Sequence, residues 1–199
     1  MTAEDTGLRR QAERMAAIGG IARTVQHDIN NLLTVIFANL EMLKRTAAEG
    51  GPQRQLARVE AAARRFEGTS RSILSLIRRP AGVQEAIRLS EALRAIEPLL
   101  SMLLPGPSAL VLTLAEHDPP VLLERSALEE ALIALAQEIN EAQPRGVALT
   151  LAVEDTAAGG VLTIGPAEGT PPAALDRLAA VASEAGGEAE AAGTGLRLR

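Results

Sequence analysis

The sequence predicts an α+β protein in two parts. An N-terminal antiparallel helical hairpin pairs with a second copy as a four-helix bundle, and an α/β sandwich follows. Three observations carry this reading: two apolar series at alternating three- and four-residue steps, a Gly-Gly-Pro break between them, and a change to short strand-like runs after about residue 80. In the first series Ile18, Ala22, Val25, Ile29, Leu32, Ile36 and Leu43 recur through Leu8 to about Glu49, with Asn39 as a polar member. "EGGP", Glu49 to Pro52, offers glycine for a helix end and proline for a new first turn. The second series is Leu56, Val59, Ala63, Phe66, Ser70, Ile73 and Ile77, a heptad seam. A hairpin with seams this apolar buries them by pairing with a copy of itself.

"RRPAG", Arg78 to Gly82, closes the hairpin, so the expected domains are 1–80 and 81–199. Beyond it, "ALVLTLA" (Ala109 to Ala115), "PVLL" (Pro120 to Leu123), "VALTLAV" (Val147 to Val153) and "GVLTI" (Gly160 to Ile164) read as strands. Helical stretches near Ser90 to Leu104, Arg125 to Ala142 and Pro172 to Ala185 alternate with them. Such interleaving predicts helices laid over one face of a mixed sheet. The Gly/Ala-rich "SEAGGEAEAAGTG" fits a helix end, a short strand and a turn as well as it fits low complexity.

Composition narrows the function classes. There is no Trp or Tyr, and Phe37 and Phe66 are the only aromatic residues of that kind, so the core must be aliphatic. A formal net charge of -5 and the lack of stacking side chains argue against a nucleic-acid partner. Cysteine is absent, which excludes disulfides and thiol catalysis. The N-terminal "MTAEDTGLRR" has no apolar signal core, and no run approaches a membrane span. A cytoplasmic protein with no membrane partner is expected.

The chemistry concentrates in "TVQHDINNLLTVI", Thr24 to Ile36. If Ile29 and Ile36 lie on the seam, His27 points outward, and Arg23, Asn31 and Thr34 share its face through i, i+4 and i, i+3 spacing. A neutral imidazole is nucleophilic at one nitrogen only when the other holds the proton, and the adjacent Asp28 is a carboxylate able to hold that tautomer. Taken alone, an exposed helical histidine is most often merely solvated. A metal site has little support, since His117 is distant in sequence and no Cys completes a set. No nucleophile-elbow sequence supports Ser–His–Asp hydrolysis.

"IGGIARTVQHDINNLLTVIFANLEML" resembles the phosphoacceptor helix of bacterial sensor histidine kinases, especially those with an H-D-x-N-N-L-L motif. The resemblance implies that His27 is phosphorylated, that Asp28 assists as base or orienter, and that Asn31 positions water for dephosphorylation. The second part resembles the ATP-binding domain of that family with its chemistry removed. In "DPPVLLERSALEEALIALAQEINEAQP", Glu138 stands at the magnesium-binding Asn and Ala134 at the earlier Asn. In "VLTIGPAEGTPPAALDRL", Gly165 stands where the adenine-reading Asp belongs and Ala167 where the first Gly belongs. The phosphate-covering lid and its glycine-rich box have no counterpart. Gly193–Thr194–Gly195 matches a late turn of the domain better than a phosphate loop.

The resemblance therefore implies a histidine phosphotransferase with a degenerate histidine-kinase-type ATPase sandwich, relaying a phosphoryl group between receiver-domain aspartates of response regulators. It needs no cofactor of its own, the receiver supplying magnesium. Arg54, Arg58, Arg64, Arg65, Arg71, Arg78 and Arg79 on the second helix are either a solvated face or a steering surface for an acidic receiver pocket. Arg23, Thr34, Arg64 and Arg71 are the expected partner contacts. Three alternatives stay open: a receiver phosphatase acting through Asn31, an adaptor that transfers nothing, and a nucleotide-binding protein using Glu138.

Overall fold

The computed structural model describes residues 3–47, 49–104, 109–142, 149–156, 159–165, 172–192 and 195–198. Side chains are not described for 3–21, Arg23, Thr24, Ala142, Pro172, 191–192 and 195–198. Several sequence readings fall outside these bounds, namely the side chains of Ile18 and Arg23, Ala167 and Gly193–Thr194. The chain divides into two compact units, Met1–Arg79 and Pro80–Arg199.

The first unit is a hairpin of α1 (Ala3–Thr46) and α2 (Gly51–Arg78). Gly50 takes φ 99°, a left-handed conformation that a side chain disfavours, and Pro52 enters the first turn of α2. Gln53 Nε2 donates to the carbonyl oxygens of Lys44 (2.7 Å) and Ala47 (3.1 Å), satisfying acceptors that the end of α1 would otherwise leave open. At the other end of α2, Arg79 is extended, as a residue preceding proline should be.

The two apolar series divide between two directions. Ala22, Leu33 and Leu40 on α1, with Leu74 on α2, are buried inside the hairpin. Leu56, Ala63, Ser70 and Ile77, every seventh residue of α2, are half-buried with them. Further members of the same series lie open: Val25, Leu32, Ile36 and Leu43 on α1, and, at alternate places, Val59, Phe66 and Ile73 on α2. Leu33 and Leu40 belong to neither predicted series. A long helix with two apolar faces shows the same periodicity whichever face meets its hairpin partner.

The second unit is an α/β sandwich. Strand β1 (Gln84–Ile87) pairs antiparallel with β3 (Val121–Glu124) as a separate ribbon. The larger sheet has the order β2-β4-β5-β7-β6, with β2 (Leu110–Leu114), β4 (Leu149–Thr156), β5 (Gly159–Gly165), β6 (Ala189–Ala192) and β7 (Gly195–Leu198). Only β2 and β4 run parallel, so the sheet is mixed. Helices α3 (Leu89–Leu103), α4 (Arg125–Ala142) and α5 (Pro172–Glu184) share one core with it.

On β4 every second residue, Leu149, Leu151 and Val153, is buried in that core, beside Leu162 and Ile164 of β5. Leu93, Leu100, Leu132, Leu135 and Leu178 complete it from the helices, and it contains no aromatic ring. The buried Asp118 caps α3 from a distance in sequence: its carboxylate accepts from the Ser90 N–H (3.1 Å) and from the Ser90 hydroxyl. The two-stranded ribbon differs from the expected single sheet, because β1 carries one buried residue, Ile87, and so shows no strand alternation.

Candidate phosphoacceptor site

His27 occupies the middle of α1. At about 100° per residue it lies roughly 120° around the helix from the Leu33 row that faces α2, which turns its ring to solvent. The His27 side chain is 75% exposed and that of Asp28 70%. Asn31 Nδ2 lies 3.1 Å from His27 Nδ1 in an i, i+4 hydrogen bond. Asp28 Oδ1 is 3.5 Å from the same nitrogen. Thr34, one turn further on, turns its hydroxyl back to donate to the Asn30 carbonyl oxygen at 2.8 Å. The sequence thus brings His27, Asp28 and Asn31 around one ring nitrogen. Arg23 lies one turn earlier on α1, its side chain outside the described residues.

The arginines of α2 are unequal. Arg64 donates to Glu60 (2.7 Å) and lies over the Phe37 ring at 5.1 Å, and Arg71 donates to Glu67 (2.8 Å). Glu60 also accepts from Lys44 of α1, and this bond, with that from Arg64, holds its carboxyl below the usual range. Phe37, Leu40, Glu41, Lys44, Glu60 and Arg64 line a pocket of about 190 Å³ between α1 and α2. The pocket is on α1 some ten residues C-terminal to His27. Arg64 and Arg71, two of the expected partner contacts, are each paired with a glutamate one turn away on the same helix.

In the second unit, Glu138 is not an open carboxylate. One oxygen accepts from the Arg177 guanidinium of α5, and the other is buried without a hydrogen-bond partner among the described residues. The protein's own cation therefore stands beside the carboxylate that a metal would need. Gly165, at the end of β5, presents no acid, and its missing Cβ would meet Thr150 at 3.2 Å. These residues do not fit a magnesium–nucleotide ligand. A cleft of about 350 Å³ in this unit is lined by apolar residues, among them Leu89, Val121, Leu123, Leu162 and Val181, and contains none of these positions. Among the described residues no group of three His, Asp or Glu is placed to hold a metal ion, and no helix is long and apolar enough to cross a membrane.

The chain is built as a helical hairpin followed by an α/β sandwich, and in sequence it is similar to a sensor histidine kinase. Over 142 residues, 71% of this chain, it is 26% identical to the sensor kinase CckA of Brucella abortus (strain 2308), and it spans 15% of that protein's length. No family model matches it. Solved structures similar to it include the histidine kinase ThkA in complex with the response regulator TrrA, at 17% identity and a TM-score of 0.39, covering 98% of this chain and 64% of that one. A bacterial phosphotransferase aligns at 18% identity and a TM-score of 0.37, covering 100% of this chain and 96% of that one. Both superpositions are loose.

Proposed function

We propose that this chain is a dimeric histidine phosphotransferase that relays a phosphoryl group between receiver-domain aspartates and does not use ATP. The observation that carries it is the exposed His27 ring with Asp28 and Asn31 at Nδ1, which leaves Nε2 facing outward for a partner. The Nε2 lone pair forms the N–P bond as the P–O bond of a receiver's acyl phosphate breaks and its carboxylate leaves. In the reacting tautomer Nδ1 carries the ring proton and keeps it, and the Asp28 carboxylate offsets the imidazolium charge. Delivery to a second receiver reverses these steps. The receiver contributes magnesium and the acid pocket, and this chain contributes a positioned nucleophile.

Support for a chain without kinase activity comes from the second unit, where Arg177 engages Glu138 and glycine stands at position 165. Phosphoryl transfer from ATP depends on positioning and charge stabilisation at the γ-phosphate, which these residues do not provide. Support for a dimer comes from the exposed apolar side chains Val25, Leu32 and Ile36 on α1 and Val59, Phe66 and Ile73 on α2, which a second hairpin would cover. The test is to mix the protein with receiver domains carrying labelled phospho-aspartate and follow label on both. Acid-labile label on His27 that then appears on a second receiver is the expected result. Receiver binding with no label on this chain would identify an adaptor instead.

A further inference from the structure

We infer that Asn31 is the tautomer selector of His27. The side chain nearest to Nδ1 is the Asn31 amide, with Nδ2 at 3.1 Å in a hydrogen bond, while the Asp28 carboxylate stands off at 3.5 Å without one. An amide N–H donates only to a lone pair. In this arrangement Nδ1 is the acceptor and the ring proton sits on Nε2. The outward nitrogen then has no lone pair, and the resting ring is not a nucleophile at that position. An Asn side chain presents an NH2 and a carbonyl oxygen from the same planar group, so half a turn about its last bond puts Oδ1 against Nδ1. Nδ1 must then carry the proton and Nε2 is released as a lone pair. Asp28, an acceptor when ionised, favours only that second form. The i, i+4 spacing on a stable helix holds both orientations within reach.

Two things follow from this geometry. Asn31 holds the resting ring in its unreactive form, and a partner that hydrogen-bonds the Asn31 NH2 group switches the ring by drawing that group away. The role is one of positioning, exercised through His27, and only its consequence for transfer rests on His27 being the phosphoacceptor. The selection itself is a property of the free protein.

The experiment is nitrogen NMR on protein labelled with 15N-histidine, in alkaline buffer where free imidazole is neutral. A His117→Gln background assigns the signals, since the chain has two histidines. In the wild type, Nε2 should give the protonated-nitrogen signal and Nδ1 the acceptor signal. Asn31→Ala should move both toward the averaged values of free histidine, and Asn31→Asp, which can only accept, should exchange them. Asp28→Asn should move them less than Asn31→Ala does. Ring signals unchanged by Asn31→Ala but shifted by Asp28→Asn would overturn the inference and give the role to the carboxylate.

Phosphoramidate, a small phosphoryl donor that needs no docking, supplies a second readout. Removing the masking hydrogen bond in Asn31→Ala should speed labelling of His27 about fivefold, the factor that an ordinary net hydrogen bond is worth. Slower labelling of that variant would count against masking. Tautomer selection by Asn31 with no transfer from any phospho-receiver would keep the selector and sink the phosphotransferase reading, so the two failures are distinguishable.

Discussion

Arg177 on α5 donates to the Glu138 carboxylate on α4, joining two helices through residues 39 positions apart. The pair occupies the place at which the resemblance puts a metal contact. Calorimetry with magnesium and ATP should therefore show no binding, and micromolar affinity would overturn the degenerate-site reading. Because Arg177 is half-exposed, Arg177→Ala should cost about 1 kcal/mol and no more. A double-mutant cycle with Glu138→Gln should show coupling of similar size, measured by denaturant unfolding.

Ile36 and Ile73 are 42% and 39% exposed on the single chain, whereas Leu33 is 3% exposed. Ile36→Glu or Ile73→Glu should yield a helical monomer by light scattering and circular dichroism, since the new charge would be buried only in a dimer. Leu33→Ala should instead weaken the hairpin itself by about 2–5 kcal/mol. A stable wild-type monomer at micromolar concentration would refute the four-helix bundle.

His27→Gln should keep fold and oligomeric state, because the ring packs against nothing inside the hairpin, and should lose all acid-labile phosphate. Asp28→Asn should slow transfer without weakening receiver binding, if the carboxylate acts on the imidazolium. Normal transfer by His27→Gln would end the proposal.

Glu124 gives a pH dependence with a fixed sign. Its Oε1 accepts from the Gly82 N–H and from the Ser126 hydroxyl, both at 2.7 Å, and these bonds hold its carboxyl below the usual range. A carboxyl depressed in the folded state stabilises above its unfolded value, and that contribution is lost as pH falls through the folded one. Thermal melts should show wild type more stable than Glu124→Gln near neutrality. The gap should close on acidification through the window just below ordinary carboxylate titration. A gap that widened in acid would reverse the assignment.

Much of the fold is legible because its signals are local. The Gly-Gly-Pro break falls at the hairpin turn, where Gly50 needs a positive φ, and the alternation of Leu149, Leu151 and Val153 marks β4. Strand β1 is not legible, since Gln84, Glu85 and Ala86 are exposed and only the ladder to β3 defines it. In the site, the i, i+4 relation of His27 and Asn31 can be read from spacing. Which neighbour reaches Nδ1 cannot, because that depends on the side-chain torsions of His27, Asp28 and Asn31 as well as on their places around the helix. The partnership of Arg177 with Glu138 is not legible either: no sequence pattern links the two, and only the packing of α4 on α5 brings them together.

The strand pairings also set an order of events during folding. Helices α1 and α2 meet across a turn of a few residues, so their contacts cost little loop-closure entropy and form early. The ladder from Gln84 to Glu124 and the parallel one from Leu110 to Leu149 must each close a loop of tens of residues before any bond is made. Refolding should thus show a fast helical phase and a slower one reporting the sheet. During synthesis the hairpin is complete before β1 has a partner, so its apolar stripe is available to a neighbouring chain while the second unit is still unfolded.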